Sequence, residues 1–472
     1  MNKILLVCIL CLTVSHLQSQ QTSSAIIDFN KKNLVHNTQW SICAINTNSK
    51  KMICGYNDHV PLQPASIQKL IITGIALKYI DSSFRYQTTL EYDGKILHDT
   101  LYGNLYIHGS GDPTFGSDVF ATTTISVVFK NFTDAITAAG IHTIKGSVIG
   151  DASVFDSLLF PEKEWKKEDY GNYYGAGACG LNFHENYYTI NFSSGKYVNE
   201  EVSVKSVRPA VPAMQMENKV SSAKAGTGDN VIIYGEPYQN SRALTGTIPV
   251  NADSFPVKGS IPDPAYACAW HFDRYLKDMG ITISGAPART FIASEKRKTI
   301  AVHYSPVFSD IVRETNIHSN NVYAESILKT LALKRSGTGS TANGISELCR
   351  QLHTCENFHI VDGSGLSVNN TLTAEAMVGF LEWMQHQPQY SSFYNSLPVA
   401  GREGSLKNML LNTPLTDNLH AKSGSMKGVR CYAGYLRNNK NEPIAFCIMV
   451  NGFTCYPSEM QKEIEKLILS LY

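Results

Sequence analysis

Neither sign of charge predominates in this sequence: 41 lysines and arginines stand against 40 aspartates and glutamates, a net charge of +1 over 472 residues. That balance excludes a basic stripe for nucleic acid and an acidic tail, and no nucleic-acid partner is expected. Long apolar runs are also scarce. The run from Ile4 to Val14, apolar except at Thr13, is too short to cross a bilayer core of about 30 Å. It follows the basic start Met1-Asn2-Lys3 and precedes the polar stretch Ser15-His16-Leu17-Gln18-Ser19-Gln20-Gln21, the pattern of a signal peptide cut near Ser19 or Gln20. With no later segment apolar enough to span, the mature chain is expected to be exported and soluble, in the periplasm or at the cell envelope. Metal-binding spacings are missing too. There is no His-Glu-x-x-His, and the one Cys-x-x-Cys, Cys8/Cys11, lies inside the leader, so neither a metal nor another cofactor is expected. Of the 11 cysteines, removing those two leaves an odd number. Some should pair in an oxidising compartment, with Cys43/Cys54 across a hairpin and Cys349/Cys355 as the near pairs.

What is present begins with Pro64-Ala65-Ser66-Ile67-Gln68-Lys69-Leu70, which runs into an apolar stretch of helical length. Ser66 falls at a helix N-terminus, where unpaired N–H groups gather, and Lys69 rises from the same face one turn on. A hydroxyl beside an amine able to take its proton is the minimum for a serine nucleophile without histidine. Ser-x-x-Lys is a cheap pattern, however, and recurs at Ser193/Lys196, Ser221/Lys224 and Ser326/Lys329.

Along the chain, a helix is expected over Ser24–Val35, then a hairpin of Trp40–Ile45 and Met52–Tyr56, then the Ser66 helix to about Ile80. From Tyr86 onwards short alternating runs and Gly/Pro turns dominate, with helices near 126–139 and 264–279 and an exposed loop over Ser221–Asp229. Helices return around Val307–Arg313, Val322–Leu333 and Thr373–His386. Two strong strands, Val429–Leu436 and Ile444–Val450, precede an amphipathic helix from Glu459 to Leu471. A hairpin near each end implies one antiparallel sheet shared by both. The expected domains are a leader at 1–20, a discontinuous catalytic domain at 21–83 and 296–472, and an inserted domain at 84–182 and 246–295. A second inserted domain, 183–245, would be nested in the first.

Two further elements complete a set with Ser66-x-x-Lys69: Ser319-x-Asn321 and Lys422-Ser423-Gly424, the last pattern occurring once. Together they are the set found in penicillin-binding proteins and class A β-lactamases. Ser66 would attack a carbonyl and Lys69 take its proton, with Lys422 nearby keeping Lys69 neutral by like-charge repulsion. Ser319 could relay a proton to the leaving amine, and Asn321 could hold the substrate backbone. Lys422 and Ser423 suit a terminal carboxylate, and the N–H groups of Ser66 and Ser425 an oxyanion.

Over most of its mature length the chain resembles the class C low-molecular-mass penicillin-binding proteins, serine D-alanyl-D-alanine carboxypeptidase/endopeptidases. Gly103-Asn104-Leu105-Tyr106 with Gly109-Ser110-Gly111-Asp112-Pro113-Thr114 is similar to one inserted-domain signature of that family. Tyr173-Tyr174-Gly175-Ala176 with Leu181-Asn182-Phe183-His184-Glu185-Asn186 is similar to a second. Asp362-Gly363-Ser364-Gly365-Leu366-Ser367 and Leu397-Pro398-Val399-Ala400-Gly401 resemble later ones. Asn320 stands where Asp is usual, and Ser423 where Thr is common. The resemblance implies an α/β fold of α+β type, an antiparallel sheet flanked by helices, carrying a large strand-rich insertion in two parts. It implies peptidoglycan stem peptides as substrates and β-lactams as covalent inhibitors, and leaves oligomeric state open, a homodimer included. It also implies an inserted-domain carboxylate that receives the side-chain amine of a diamino acid, for which Asp169 is the candidate. A class A β-lactamase would need Glu-x-x-Leu-Asn and an α/β-hydrolase Gly-x-Ser-x-Gly; neither occurs. A penicillin-binding sensor or wall-binding protein that does not turn over is the remaining rival.

Overall fold

The structure, a computed structural model, describes residues 23–294, 296–352 and 357–472. The leader and Cys355 lie outside these residues. The described chain divides into two compact units. Of the described residues, the first comprises those up to Ser82, Val312–Ser319 and those from Leu348 onward; the second comprises those of Ser83–Ile311 and Asn320–Glu347.

The first unit is built on a five-stranded antiparallel sheet in the order Lys51–Tyr56, Gln39–Asn46, Pro443–Asn451, Val429–Arg437, His420–Met426. The expected sharing of one sheet by the two ends is borne out, with Gln39 opposite Asn451 and Asn46 opposite Ile444. Period-two alternation puts Trp40, Ile42 and Ala44 on one face, where they meet Phe29, Met460, Ile464 and Leu467 of the terminal helical segments. Ser41 and Cys43 point to the other face and are equally buried, and the Ala374–Gln385 helix packs there. A sheet covered on both sides reads as a continuous apolar run, as Ile444–Val450 does. The helix Lys69–Tyr79 is buried all round, from Lys69 to Leu77.

The Cys43–Cys54 bridge does not form. Cys43 pairs with Gly55 and Cys54 with Ala44, so a one-residue offset sends the two thiols to opposite faces.

The second unit holds the expected run of short strands. A five-stranded sheet orders Ala288–Thr290, Val148–Asp151, Leu105–His108, Gln87–Tyr92 and Lys298–Tyr304, with helices Ile125–Ala138 and Pro264–Asp278 against it. A three-stranded sheet joins Ser203–Arg208, Tyr187–Ser193 and Phe255–Ser260. Ser221–Ala223, expected within a loop, instead pairs with Thr247–Pro249, and the exposed loop starts at Lys224. The helix Asn321–Ser336 belongs to this unit, so the division falls between Ser319 and Asn321.

Candidate active site

Ser66 sits in a short 3-10 turn, Ala65–Gln68, that leads directly into the Lys69–Tyr79 helix. The approach is pinned to the sheet: Gln63 N–H donates to Asn451 Oδ1 at 2.8 Å, and Asn451 Nδ2 donates back to the Gln63 carbonyl at 3.2 Å. Ala65, buried and with φ +47°, turns the chain sharply just before the serine. A left-handed alanine costs energy that the surroundings must offset, and such residues gather at working sites. The helical spacing then brings Lys69 Nζ to 3.0 Å from Ser66 Oγ. Ser66 is half-buried, whereas Lys69 is fully enclosed.

The second acceptor of Lys69 lies in a loop that the sequence marks only as a turn. Lys69 Nζ donates to the Ser364 carbonyl at 2.6 Å. That carbonyl is held by Asp362, whose buried carboxylate accepts from the N–H groups of Gly365 at 2.8 Å and Ser367 at 2.7 Å, and from Asn370 Nδ2 at 3.0 Å. Gln68, between the serine and the lysine, donates to the Asp362 carbonyl at 2.7 Å. The loop and the helix start are therefore locked as one piece. Gln68 and the Asp362 loop were not legible as site residues, because their side chains work largely on main-chain groups, which no motif marks.

Lys422 lies in the edge strand His420–Met426, buried, with its Nζ donating to the Ser423 carbonyl at 2.7 Å. Burial, and then the charge of Lys69, hold its ammonium well below the usual lysine range. The expected repulsion between the two lysines is thus present, acting on Lys422. Gly424 lets the strand press onto the serine. A Cβ there would meet the Pro64 carbonyl oxygen at 2.5 Å and Ser66 N at 3.0 Å, space that only glycine leaves open. Ser425, next along, is exposed. Ser423 Oγ donates to Ser405 Oγ at 2.6 Å, which adds a hydroxyl that no motif marks.

Ser319 follows the last turn of the Phe308–His318 helix with φ +57°. The segment is tied to the lysine's own helix: Asn316 Nδ2 donates to Thr73 Oγ1 at 3.2 Å and to Ser396 Oγ at 2.8 Å, while Thr73 Oγ1 donates to the Lys69 carbonyl at 2.7 Å. In the second unit, Asn321 Nδ2 donates to the Tyr174 carbonyl at 2.7 Å. The Tyr174 hydroxyl bonds the Asp169 carboxyl, which burial raises while Lys166 and this hydrogen bond pull it back. Lys167 instead faces Glu236 at 3.5 Å.

One competing Ser-x-x-Lys is accounted for by packing. Lys329 donates to Asp156 at 2.8 Å and Ser326 accepts from Asn182 at 3.2 Å, so both are buried helix residues of the second unit with separate partners. Among the described residues no cluster suited to a metal ion is found, and no helix is long and apolar enough to cross a membrane.

The profile of the D-Ala-D-Ala carboxypeptidase 3 (S13) family matches residues 23–471. The D-alanyl-D-alanine carboxypeptidase of Actinomadura sp. (strain R39) is 26% identical over 415 residues, 83% of this chain and 73% of that protein. The D-alanyl-D-alanine carboxypeptidase DacB of Haemophilus influenzae is 27% identical over 427 residues, 87% of this chain and 85% of that protein. In fold, the crystal structure of penicillin-binding protein 4 (dacB) from Haemophilus influenzae superposes with a TM-score of 0.82 at 22% identity, covering 95% of this chain and 98% of that one. The same protein complexed with a β-lactam superposes with a TM-score of 0.76.

Proposed function

The chain belongs to the D-Ala-D-Ala carboxypeptidase 3 (S13) family of serine-type carboxypeptidases, and from that premise we propose that Ser66 is its nucleophile and that it cleaves peptidoglycan stem peptides. The substrates are terminal D-Ala-D-Ala and the D-Ala–diamino acid crosslink, and β-lactams acylate the same serine. The observation that carries this reading is the 3.0 Å approach of Lys69 Nζ to Ser66 Oγ, with the Lys422 ammonium destabilised beside them.

Ser66 Oγ attacks the carbonyl carbon of the penultimate D-Ala as its proton passes to Lys69. The N–H groups of Ser66 and Ser425 hold the oxyanion, an interaction for which one donor is worth about 3–4 kcal/mol. The C–N bond breaks, the leaving amine takes a proton through Ser319, and Asn321 holds the substrate backbone. Water then attacks the ester, which releases the acid and returns the proton to Ser66. Lys422 and the Ser423 hydroxyl receive the terminal carboxylate.

Penicillin treatment followed by peptide mass mapping is expected to give one adduct, on the peptide carrying Ser66, and none in Ser66→Ala. Full labelling of that variant would end the assignment. Digestion of crosslinked peptidoglycan, with products separated by mass, then measures carboxypeptidase against endopeptidase cleavage.

Asp169 is proposed to receive a free side-chain amine, since an aromatic wall with a carboxylate suits an ammonium. Asp169→Asn should lower kcat/KM for peptides bearing that amine and spare their acetylated counterparts. An equal loss on both peptides would remove Asp169 from specificity.

The chain is also proposed to be exported and to lose its leader, and to carry 84–182 with 246–295 as an outer inserted domain around a nested 183–245. A small separate sheet of Gln215–Asn218, Ser241–Thr245 and Ile232–Tyr234 supports the nesting.

A further inference from the structure

His184, Glu185 and Asn186 form a turn in which three successive residues have positive φ, 52°, 54° and 55°. Non-glycine residues rarely enter the left-handed region singly, and three together persist only where surrounding contacts dictate it. Those contacts are visible on either side of Glu185. Asn186 Oδ1 accepts from the Phe183 N–H at 2.9 Å, and Asn186 Nδ2 donates to the Gly177 carbonyl at 2.8 Å and to Asn182 Oδ1 at 2.7 Å. His184 Nδ1 lies 3.0 Å from the Tyr187 carbonyl oxygen. The turn thus delivers Glu185, only 5% exposed, in one orientation. Its carboxylate accepts from Asn320 Nδ2 at 3.0 Å.

Asn320 is the middle residue of Ser319-x-Asn321, and both ends of its amide are engaged. Its Oδ1 accepts from the Tyr323 N–H at 3.3 Å and caps the Asn321–Ser336 helix. Its Nδ2 is the group given to Glu185. A residue at 320 must therefore supply an acceptor to the helix and a donor to the carboxylate, a combination that an ionised aspartate lacks. We infer that Glu185 is a positioning residue for the reaction. It fixes the rotation of Asn320, and so sets the direction in which the first helical residue, Asn321, presents its amide. This rests on the proposed role of Asn321 toward substrate.

Asp118, His184 and Arg208 line, with Glu185 and Tyr187, a cavity of about 580 Å³, and His184 Nε2 lies 3.8 Å from Asp118.

The test is a charge-reversal pair read as a pH profile of kcat/KM on a D-Ala-D-Ala peptide. Asn320→Asp keeps the helix cap but sets two carboxylates against each other, so one of them must hold a proton. Relative to the parent, this variant should retain activity near pH 5 and lose about tenfold or more by pH 8, a factor of ten corresponding to one unit of displaced protonation. The double variant Glu185→Gln/Asn320→Asp restores a donor facing an acceptor and should track the parent across the range. The inference is overturned if Asn320→Asp follows the parent at every pH, or if the double variant falls as far as the single one. Melting temperatures at both pH values are read alongside. Unfolding that parallels the loss of activity would also overturn it, by reducing the contact to a structural one. Asn321→Ala checks the underlying reading separately: full activity in that variant would remove Asn321 from substrate binding whatever the 185/320 pair does.

Discussion

Two lysines share the neighbourhood of Ser66, and their mutual repulsion means that one proton is readily shed from the pair. Without substrate, burial and Lys69 both weigh against charge on Lys422. An arriving carboxylate reverses that balance, because an anion favours the charged form of its neighbour. On the roles proposed for the two lysines, charge on Lys422 would then favour loss of the proton from Lys69 as the substrate is seated. Lys422→Ala should therefore depress kcat/KM more on peptides with a free terminal carboxylate than on their amides. The lost charge-assisted contact alone is worth about 1.5–3 kcal/mol, a further tenfold or more between the two. Equal losses on acid and amide would instead assign Lys422 a general structural role. The acylation rate of the parent should fall as the pH drops and the second proton joins the pair.

Among the elements, the placement of the His420–Met426 strand is the most exacting. Gly424 lies so close to Ser66 N and the Pro64 carbonyl that a methyl group must push strand and turn apart. Gly424→Ala is expected to slow penicillin acylation at least tenfold while lowering stability by about 1–3 kcal/mol, the usual cost of overpacking. Unchanged acylation would show that the strand does not set the serine's geometry. Elements with a strong period were legible from sequence. The strands Val429–Arg437 and Pro443–Asn451 and the helix Ala374–Gln385 lie within about two residues of expectation. The His420–Met426 strand was not, since Lys422-Ser423-Gly424-Ser425 lacks the apolar alternation that announces a strand. Thr341–Leu352 was missed as a helix because Thr, Asn, Gly and Ser fill its first turns. Ser66 and Lys69 were legible because the chemistry proposed for them belongs to their side chains. Asp362 and Ser364 were not, because they work on or through N–H and carbonyl groups that any sequence carries, and Asn316 was not, because its partners Thr73 and Ser396 lie far from it in sequence.

At the scale of the whole molecule, buried ionisable groups of the second unit set how stability follows pH. Burial raises the Asp112 carboxyl to about 6, despite hydrogen bonds from Thr114. Its native form therefore binds more protons than the unfolded chain between about pH 4 and 6, and stability falls as pH rises through that window. His108 is raised by its hydrogen bond to Asp151, so its contribution is complete below about pH 6.5 and is lost as pH rises through the native value. Asp151 opposes them at the acid end. Burial raises it, but hydrogen bonds from His108, Ser153 and Arg297 bring it down to about 2, so its contribution holds above about pH 4 and fades as pH falls toward 2. Asp112→Asn is expected to raise the unfolding free energy at pH 8, by an amount on the order of 3 kcal/mol at most, and to leave it nearly unchanged at pH 4. Denaturant titrations at the two pH values would expose an error in sign. The sheet of the first unit has a different consequence, one of timing. Its second and third strands, Gln39–Asn46 and Pro443–Asn451, lie far apart in sequence and pair with each other. A chain emerging from the ribosome cannot close that sheet until residues 443–451 are made. The early-made serine therefore waits for a lysine synthesised hundreds of residues later. A nascent or interrupted product carries the proposed nucleophile without its sheet, and on that proposal hydrolytic competence arrives only once residues 443–451 are made.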